Sequence, residues 1–291
     1  ALAFWGGLGI FISTVVTTVG THKHIPDLHV PPERKFNLRD SLQEAKQTLS
    51  NRSWLVLFLS GCIYALLVGV DTGAVTYYSV YLWQWQPDEI SVFSIYQAVT
   101  VISFSILAPW IAMGRNKKNI AVGIFLFTIF VGPLPIVLRL LDPFVGMQIF
   151  PSNGSDALWY ILLIHGCLTV SLGSLGFIFI GSMAMEIVED VEKTTGRREE
   201  GLLGTVNAFV HKLVGAGGVL IAGIIVSWSG FDDPNATQEM LTGEVVNRFA
   251  LVHVIIGFCL PIFSTLLVLM YNIDREGHLD NVNDLGYVED N

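Results

Sequence analysis

Two charged residues sit well inside long apolar stretches: Asp71 in "LLVGVDTGAV" and Lys212 in "NAFVHKLVGAGG". If those stretches lie in lipid, an unpaired charge at such depth costs at least a few kcal/mol, so each side chain must face protein or water and find a partner. Residues of this kind mark a solute pathway or a binding site. The alternatives are a structural ion pair or a side chain that snorkels to the headgroups. A third concentration of charge, "EIVEDVEKTTGRREEG" from Glu186 to Gly201, stands out in a chain that is only 14% charged. Three histidines, His165, His211 and His253, fall in or near the apolar stretches. None has a carboxylate or second histidine at metal-ligand spacing, so no metal site is indicated; each is either a satisfied core histidine or a proton relay.

The elements that must hold these residues follow from composition. With 291 residues, 52% of them hydrophobic, and a mean hydropathy of +0.57, the chain lacks the polar surface of a soluble domain. Apolar runs cover residues 1–20, 55–82, 92–113, 120–141, 157–185, 202–228 and 249–273. Each is long enough, at about 1.5 Å per helical residue, to cross a hydrocarbon core of roughly 30 Å. Runs of this length are helices rather than barrel strands. The expectation is an all-α membrane protein with seven spans. Cys62, Cys167 and Cys259 all fall within spans, so no disulfide framework is indicated. The first residue, Ala1, already lies in an apolar run with no basic segment before it, which reads as a fragment rather than a signal peptide.

Lysine and arginine separate the connections into two sets. Residues 21–53, the short connection after Met113, and the Glu186–Gly201 stretch carry them; residues 84–91, 142–156 and 229–247 carry none. The first set is therefore expected in the cytoplasm and the second outside. Sequons at Asn153 and Asn235 fall in external connections and are the expected glycosylation sites, whereas the sequon at Asn51 is cytoplasmic and should stay unmodified. "FNLRDSLQEAKQTLSN" spaces Leu38, Leu42, Ala45 and Leu49 as a short amphipathic helix. The acidic tail from residue 274 is expected to be disordered. A net charge of -9, much of it from external loops and this tail, gives no indication of nucleic acid.

Glycines gather around both buried charges: Gly69 and Gly73 flank Asp71, and Gly215, Gly217, Gly218 and Gly223 follow Lys212. They permit either close helix packing or room for a ligand. At the external end of the Asp71 stretch stand Tyr77, Tyr78, Tyr81, Trp83 and Trp85. An interfacial belt accounts for the tryptophans, and the tyrosines are candidates for stacking on or hydrogen-bonding a sugar.

The segment "SMAMEIVEDVEKTTGRREEGLLGTVNAFVHKLVGAGGVLIAGIIVSWSGF" resembles the region around helices 10 and 11 of the glycoside-pentoside-hexuronide:cation symporters, the melibiose-permease-like branch of the major facilitator superfamily. The shared features are an acidic exit from helix 10, a "TG-R-R-x-E-G" connection, an aromatic, a lysine and a glycine-rich run. "PWIAMGRNKKN" is similar to the basic hairpin between helices 8 and 9 of major facilitators. The resemblance implies that residues 1–20 correspond to helix 6, residues 21–53 to the cytoplasmic linker between bundles, residues 54–273 to the six-helix C-terminal bundle, and residues 274–291 to a cytoplasmic tail. It implies cation-coupled symport of a sugar or similar small polar solute, with Lys212 near the solute; Asp71, where the family pattern does not demand an acid, is a further candidate from its place in an apolar span and a candidate partner for Lys212. The coupling cation would be Na+ or H+, held mainly by carboxylates of helices 2 and 4, which this chain does not contain; its partners are then those N-terminal helices, the solute and the bilayer of a plasma or endolysosomal membrane. Glu186, Glu189, Asp190, Glu192, Arg197, Arg198, Glu199 and Glu200 are expected to form a cytoplasmic gate whose ion pairs differ between states. Glu186 departs from the aspartate of many relatives by one methylene. A lysolipid carrier of the same superfamily is the alternative. A seven-helix receptor shares the topology but lacks its signature sequences, and no nucleophile and base at recognisable spacing suggest an enzyme.

Overall fold

The computed structural model describes residues 2–23, 37–273 and 275–285, and among them every regular element is helical. They are α1 (Leu2–His22), α2 (Leu38–Leu49), α3 (Arg52–Tyr77), α4 (Pro87–Ala112), α5 (Lys117–Val131), α6 (Leu134–Val145), α7 (Asp156–Thr195), α8 (Glu200–Ser229), the short α9 (Gln238–Met240), α10 (Val246–Leu269) and α11 (Arg275–Asp284). Seven segments among the described residues are long and apolar enough to span a membrane, matching the number read from hydropathy. The chain is an integral, multi-pass, all-α membrane protein. It divides into two compact units, Ala1–Gln43 and Glu44–Asn291. The candidate functional residues lie in the second.

Local chemistry sets where the helices start. Asn51 caps α3 by accepting from the Trp54 amide at 3.0 Å, Asn116 caps α5 by accepting from Lys118 N at 3.0 Å, and Ser155 caps α7 by accepting from Leu158 N. Gln86 and Glu89 form a reciprocal capping box at α4, followed directly by Pro87.

Four features differ from a simple reading of hydropathy. The acidic stretch is not a loop: α7 runs for 40 residues, roughly 60 Å, so its last turns project beyond any hydrocarbon core and carry Glu186, Glu189, Asp190 and Glu192. Nothing in "EIVEDVEKTT" breaks a helix, and α7 ends only where Gly196 adopts a left-handed φ of 67°. The connection proper is residues 196–199. Second, the span from Lys117 to Val145 is broken at Gly132-Pro133, because proline has no amide to donate and clashes with the preceding turn. The Val131 carbonyl beside the break is met by His165 Nε2 at 2.8 Å, which gives that histidine a structural partner. Third, α3 does not end at Tyr77 but continues into a π-turn over Tyr78–Leu82, closed by Trp83 N donating to Tyr78 O at 2.9 Å. Fourth, the tail expected to be disordered contains helix α11; residues 286–291 lie outside the described residues.

The bundle is organised around α3, which packs most extensively on α8 and also on α10; α7 packs on α4 and α5. The α3–α8 contact is made by glycine. A Cβ on Gly69 would meet Gly215 O and, at 2.9 Å, Gly218 Cα; one on Gly218 would meet Leu66 O. Here the glycines serve close packing of backbones. At Gly217 and Gly223 an added Cβ would meet nothing within 4 Å, so these two serve no such purpose. Across α3 and α10, Ser60 and Ser264 exchange hydrogen bonds, each hydroxyl donating to the other's carbonyl at 3.1 Å.

Candidate functional site

Asp71 lies on α3, with its side chain 52% exposed, and its partner is His253 of α10, whose Nε2 stands 3.1 Å from Asp71 Oδ1. The imidazole is otherwise largely buried, and its Nδ1 has no hydrogen-bond partner. Tyr78, on the π-turn, packs edge-on to this ring with centroids 4.9 Å apart. Its hydroxyl is buried and likewise unpartnered. Asp71, Tyr78 and His253 thus form a polar group inside the bundle with two buried hydrogen-bonding atoms unused. Such atoms carry a desolvation cost that calls for an explanation.

Lys212 is not part of that group. Gly61 lies against His211, Gly69 against Gly215 and Gly218, and Gly73 against Ala222, so α3 and α8 run parallel with matched levels. This register puts Asp71 level with about residue 220, some two turns or roughly 12 Å along the axis from Lys212. The expected Asp71–Lys212 pairing is therefore replaced by Asp71–His253. Lys212 is exposed on α8, and no ion pair or hydrogen bond holds it among the described residues.

The surroundings of Lys212 are informative. At about 100° per residue, Thr205, Ala208, Lys212, Ala216, Val219 and Gly223 fall on one stripe of α8, and all of them are exposed. Leu213, Leu220 and Ile224, also exposed, fall on the adjoining stripe. One flank is bulky and apolar, as lipid requires; the other carries mostly small residues around a lysine. A cation at membrane depth on an open face must meet water, solute or another polypeptide surface.

Tyr77 and Tyr81 are half-buried against Phe231, with centroids at 4.9 and 5.0 Å, and Tyr78 packs on Phe249 at 5.1 Å. The three tyrosines are brought together in an aromatic cluster formed by the end of α3, its π-turn, Phe231 just beyond α8 and Phe249 of α10. Of the sequon asparagines, Asn235 is exposed, whereas Asn153 is half-buried and its Nδ2 donates to Leu82 O at 2.9 Å.

At the basic end of the bundle the charged residues find partners within the chain. Glu186, only 7% exposed, accepts from Lys117 Nζ at 2.7 Å and from Tyr271 Oη at 3.0 Å; that hydroxyl is also 3.1 Å from Met183 O. Lys118 Nζ donates to Tyr271 O at 2.8 Å. Glu189 faces His278 at 2.8 Å, Asp190 accepts from Asn51 Nδ2 at 2.9 Å, and Lys193 meets Asp284 at 2.6 Å. Arg197 pairs with Glu199 at 2.6 Å and approaches Glu44 at 4.0 Å, while Arg198 lies 3.3 Å from Glu200 and 3.6 Å from Glu192. The network ties α2, α3, α5 and α11 to the projecting end of α7. Burial, and then the adjacent Glu186 charge, raise the pKa of the Tyr271 hydroxyl above its ordinary value. Sequence reasoning singled out the acids and arginines here but not Tyr271, Lys117 or His278. The basic hairpin containing Lys117 had served to orient the chain and to support the family resemblance, with no partner assigned to the lysine.

A bundle of candidate spanning helices with a half-exposed carboxylate and an exposed lysine in its apolar segments is that of a polytopic membrane protein. The chain belongs to the MFS/sugar transport protein family, whose model matches residues 3–275. It is similar to the isoprimeverose transporter of Lactiplantibacillus pentosus, at 25% identity over 251 residues covering 84% of this chain and 46% of that relative. The chain thus spans about half the length of the curated relative it matches.

Proposed function

We propose that the protein acts in cation-coupled symport of a sugar or similarly small polar solute by alternating access. Family membership and the isoprimeverose transporter relative support the transport of sugars. The observation that carries the site is Lys212, an unpaired cation on the small-residue stripe of α8. On this reading the stripe lines the solute path, Lys212 hydrogen-bonds the solute or balances acidic groups across the cavity, and Leu213, Leu220 and Ile224 face lipid. The basic end is the cytoplasmic end, where Arg197 and Arg198 with Glu199 and Glu200 act as the gate element and Glu186, Glu189, Asp190 and Glu192 anchor it. Alternating access requires such contacts to differ in strength between states.

The test is uptake of labelled isoprimeverose into proteoliposomes. Lys212→Ala is expected to lower uptake by at least about tenfold, with partial recovery in Lys212→Arg, since loss of one hydrogen bond to or from a charged group costs about 1.5–3 kcal/mol. Uptake by Lys212→Ala equal to wild type would overturn the assignment. Transport of lysophosphatidylcholine in place of sugar would move the reading to a lipid carrier.

A further inference from the structure

We propose that Asp71 and His253 together form a proton-binding site inside the C-terminal bundle, with the proton taken up at His253 Nδ1. The inference rests on the symport reading above and adds a proton site in this bundle to the cation site expected on helices 2 and 4.

The geometry supplies the site. His253 Nε2 faces Asp71 Oδ1 at 3.1 Å, which fits an Nε2–H donor and leaves the lone pair on Nδ1. That Nδ1 is buried and has no partner. Tyr78, only 8% exposed, is packed edge-on against the same ring, and its hydroxyl is also without a partner. A neutral imidazole beside a carboxylate leaves a net charge of minus one at membrane depth; adding one proton to Nδ1 gives an imidazolium–carboxylate pair of zero net charge. No bond other than the new N–H is formed. The site is therefore least costly to enclose when it holds its proton and most costly when empty, which is the differential a coupling site needs.

Other charges do not substitute for the proton. On α10 itself, Arg248 stands five residues before His253, about 7.5 Å along the axis, and is engaged with Glu244; on α6, Arg139 lies with Asp142; and Lys212 of α8 stands about two turns away. Tyr64 and Tyr78, the other titratable groups beside Asp71 on its own helix and π-turn, are neutral donors. His165 of α7 is occupied with Val131 O. Among the described residues, His253 is then the cation available to Asp71, and it is a cation only when protonated. Access is provided by Asp71, whose side chain is half exposed while the imidazole behind it is largely shielded.

The test reads protonation directly. The protein, labelled with 15N-histidine and reconstituted in lipid nanodiscs, is followed by NMR between about pH 5 and 8.5, the range in which histidine charge changes are read. One imidazole signal, absent from both His253→Gln and His253→Asn, is expected to pass reversibly between the neutral form with a proton on Nε2 and the imidazolium, and Asp71→Asn is expected to displace that transition. A His253 signal that keeps one protonation state throughout, or that is indifferent to Asp71→Asn, overturns the proposal. A parallel experiment in liposomes loaded with a pH-sensitive dye separates the two readings. Isoprimeverose entry should bring protons inward in the wild type, and the proton signal should be lost in His253→Gln. If the imidazole titrates as expected but isoprimeverose moves no protons in the wild type, the sugar assignment falls and the proton site stands. If isoprimeverose and protons enter together with His253 silent, the proton site falls and the sugar assignment stands.

Discussion

Replacing Glu186 by alanine separates a brace from a gate. The carboxylate is 7% exposed and accepts from Lys117 at 2.7 Å and Tyr271 at 3.0 Å. A hydrogen bond to a charged group contributes about 1.5–3 kcal/mol, and here one carboxylate receives two. Two considerations keep the loss below the sum. Tyr271 retains the Met183 carbonyl at 3.1 Å, and the Lys117 side chain, 29% exposed, regains water instead of standing as a buried unpaired charge. The expected cost is about 2–3 kcal/mol, below the roughly 3–5 kcal/mol of breaking a wholly buried pair. Glu186→Gln, which keeps an acceptor for Tyr271 and loses the charge, should cost about half as much. The assay is equilibrium unfolding in mixed micelles against added denaturing detergent, together with a double-mutant cycle using Tyr271→Phe, where a coupling of about 1 kcal/mol is expected. A cost under about 0.5 kcal/mol for Glu186→Ala, or none of the expected coupling, would refute the reasoning. If transport rates changed while stability did not, Glu186 would belong with the gate.

The α3–α8 contact makes a second prediction: Gly69→Leu, whose Cβ meets the backbone of Gly215 and Gly218, should cost about 3 kcal/mol or more, while Gly217→Ala, at an open position, should stay within about 0.5 kcal/mol. Tyr271 predicts an alkaline limit. Its hydroxyl pKa is raised above the ordinary 10.0, so above that pH the unfolded state releases a proton that the folded state retains, and stability must fall. It should be level below about pH 10 and decline above it, with that part of the decline removed in Tyr271→Phe. In a glycosylating host, Asn235→Gln should abolish the glycan-dependent mobility shift; Asn153→Gln should instead lower stability by about 1 kcal/mol through loss of the bond to Leu82 O.

Hydropathy made the seven spans legible because a helix crossing about 30 Å of hydrocarbon needs an unbroken apolar run, and nothing else in the chain produces one. Helix ends were less legible. Lipid dictates where apolar residues must be, not where a helix stops; α7 continues through "EIVEDVEKTT" because backbone hydrogen bonding outlasts the hydrocarbon until Gly196 turns left-handed. The break at Gly132-Pro133 was written in the sequence but hidden inside an apolar run. Among the candidate site residues, Asp71 and Lys212 announced themselves as charges in apolar surroundings. Their partners did not, since His253 joins Asp71 and Tyr271 joins Glu186 only through tertiary packing of distant segments. The acidic and basic residues of the Glu186–Gly201 stretch were visible as a cluster, and Arg197 and Arg198 do pair with acids inside it, but the partners of Glu189 and Lys193 come from α11, whose position no local spacing encodes.

The two intramembrane charges should respond to removal with opposite sign. Asp71 is paired, so Asp71→Leu strands the buried His253 imidazole without its acceptor and should lower stability by about 1–3 kcal/mol. Lys212 has no partner among the described residues and lies on an open stripe, so its charge is a cost to the folded protein in lipid, not a contribution. Lys212→Leu should therefore leave stability unchanged or raise it by about 1 kcal/mol while uptake is lost, the trade expected of a residue kept for function. Unfolding of both variants in the same mixed micelles, compared with uptake in liposomes, reads the two quantities separately. If Lys212→Leu destabilised as much as Asp71→Leu, Lys212 would be a structural ion-pair residue, and the stripe on α8 would lose its claim to line a solute path.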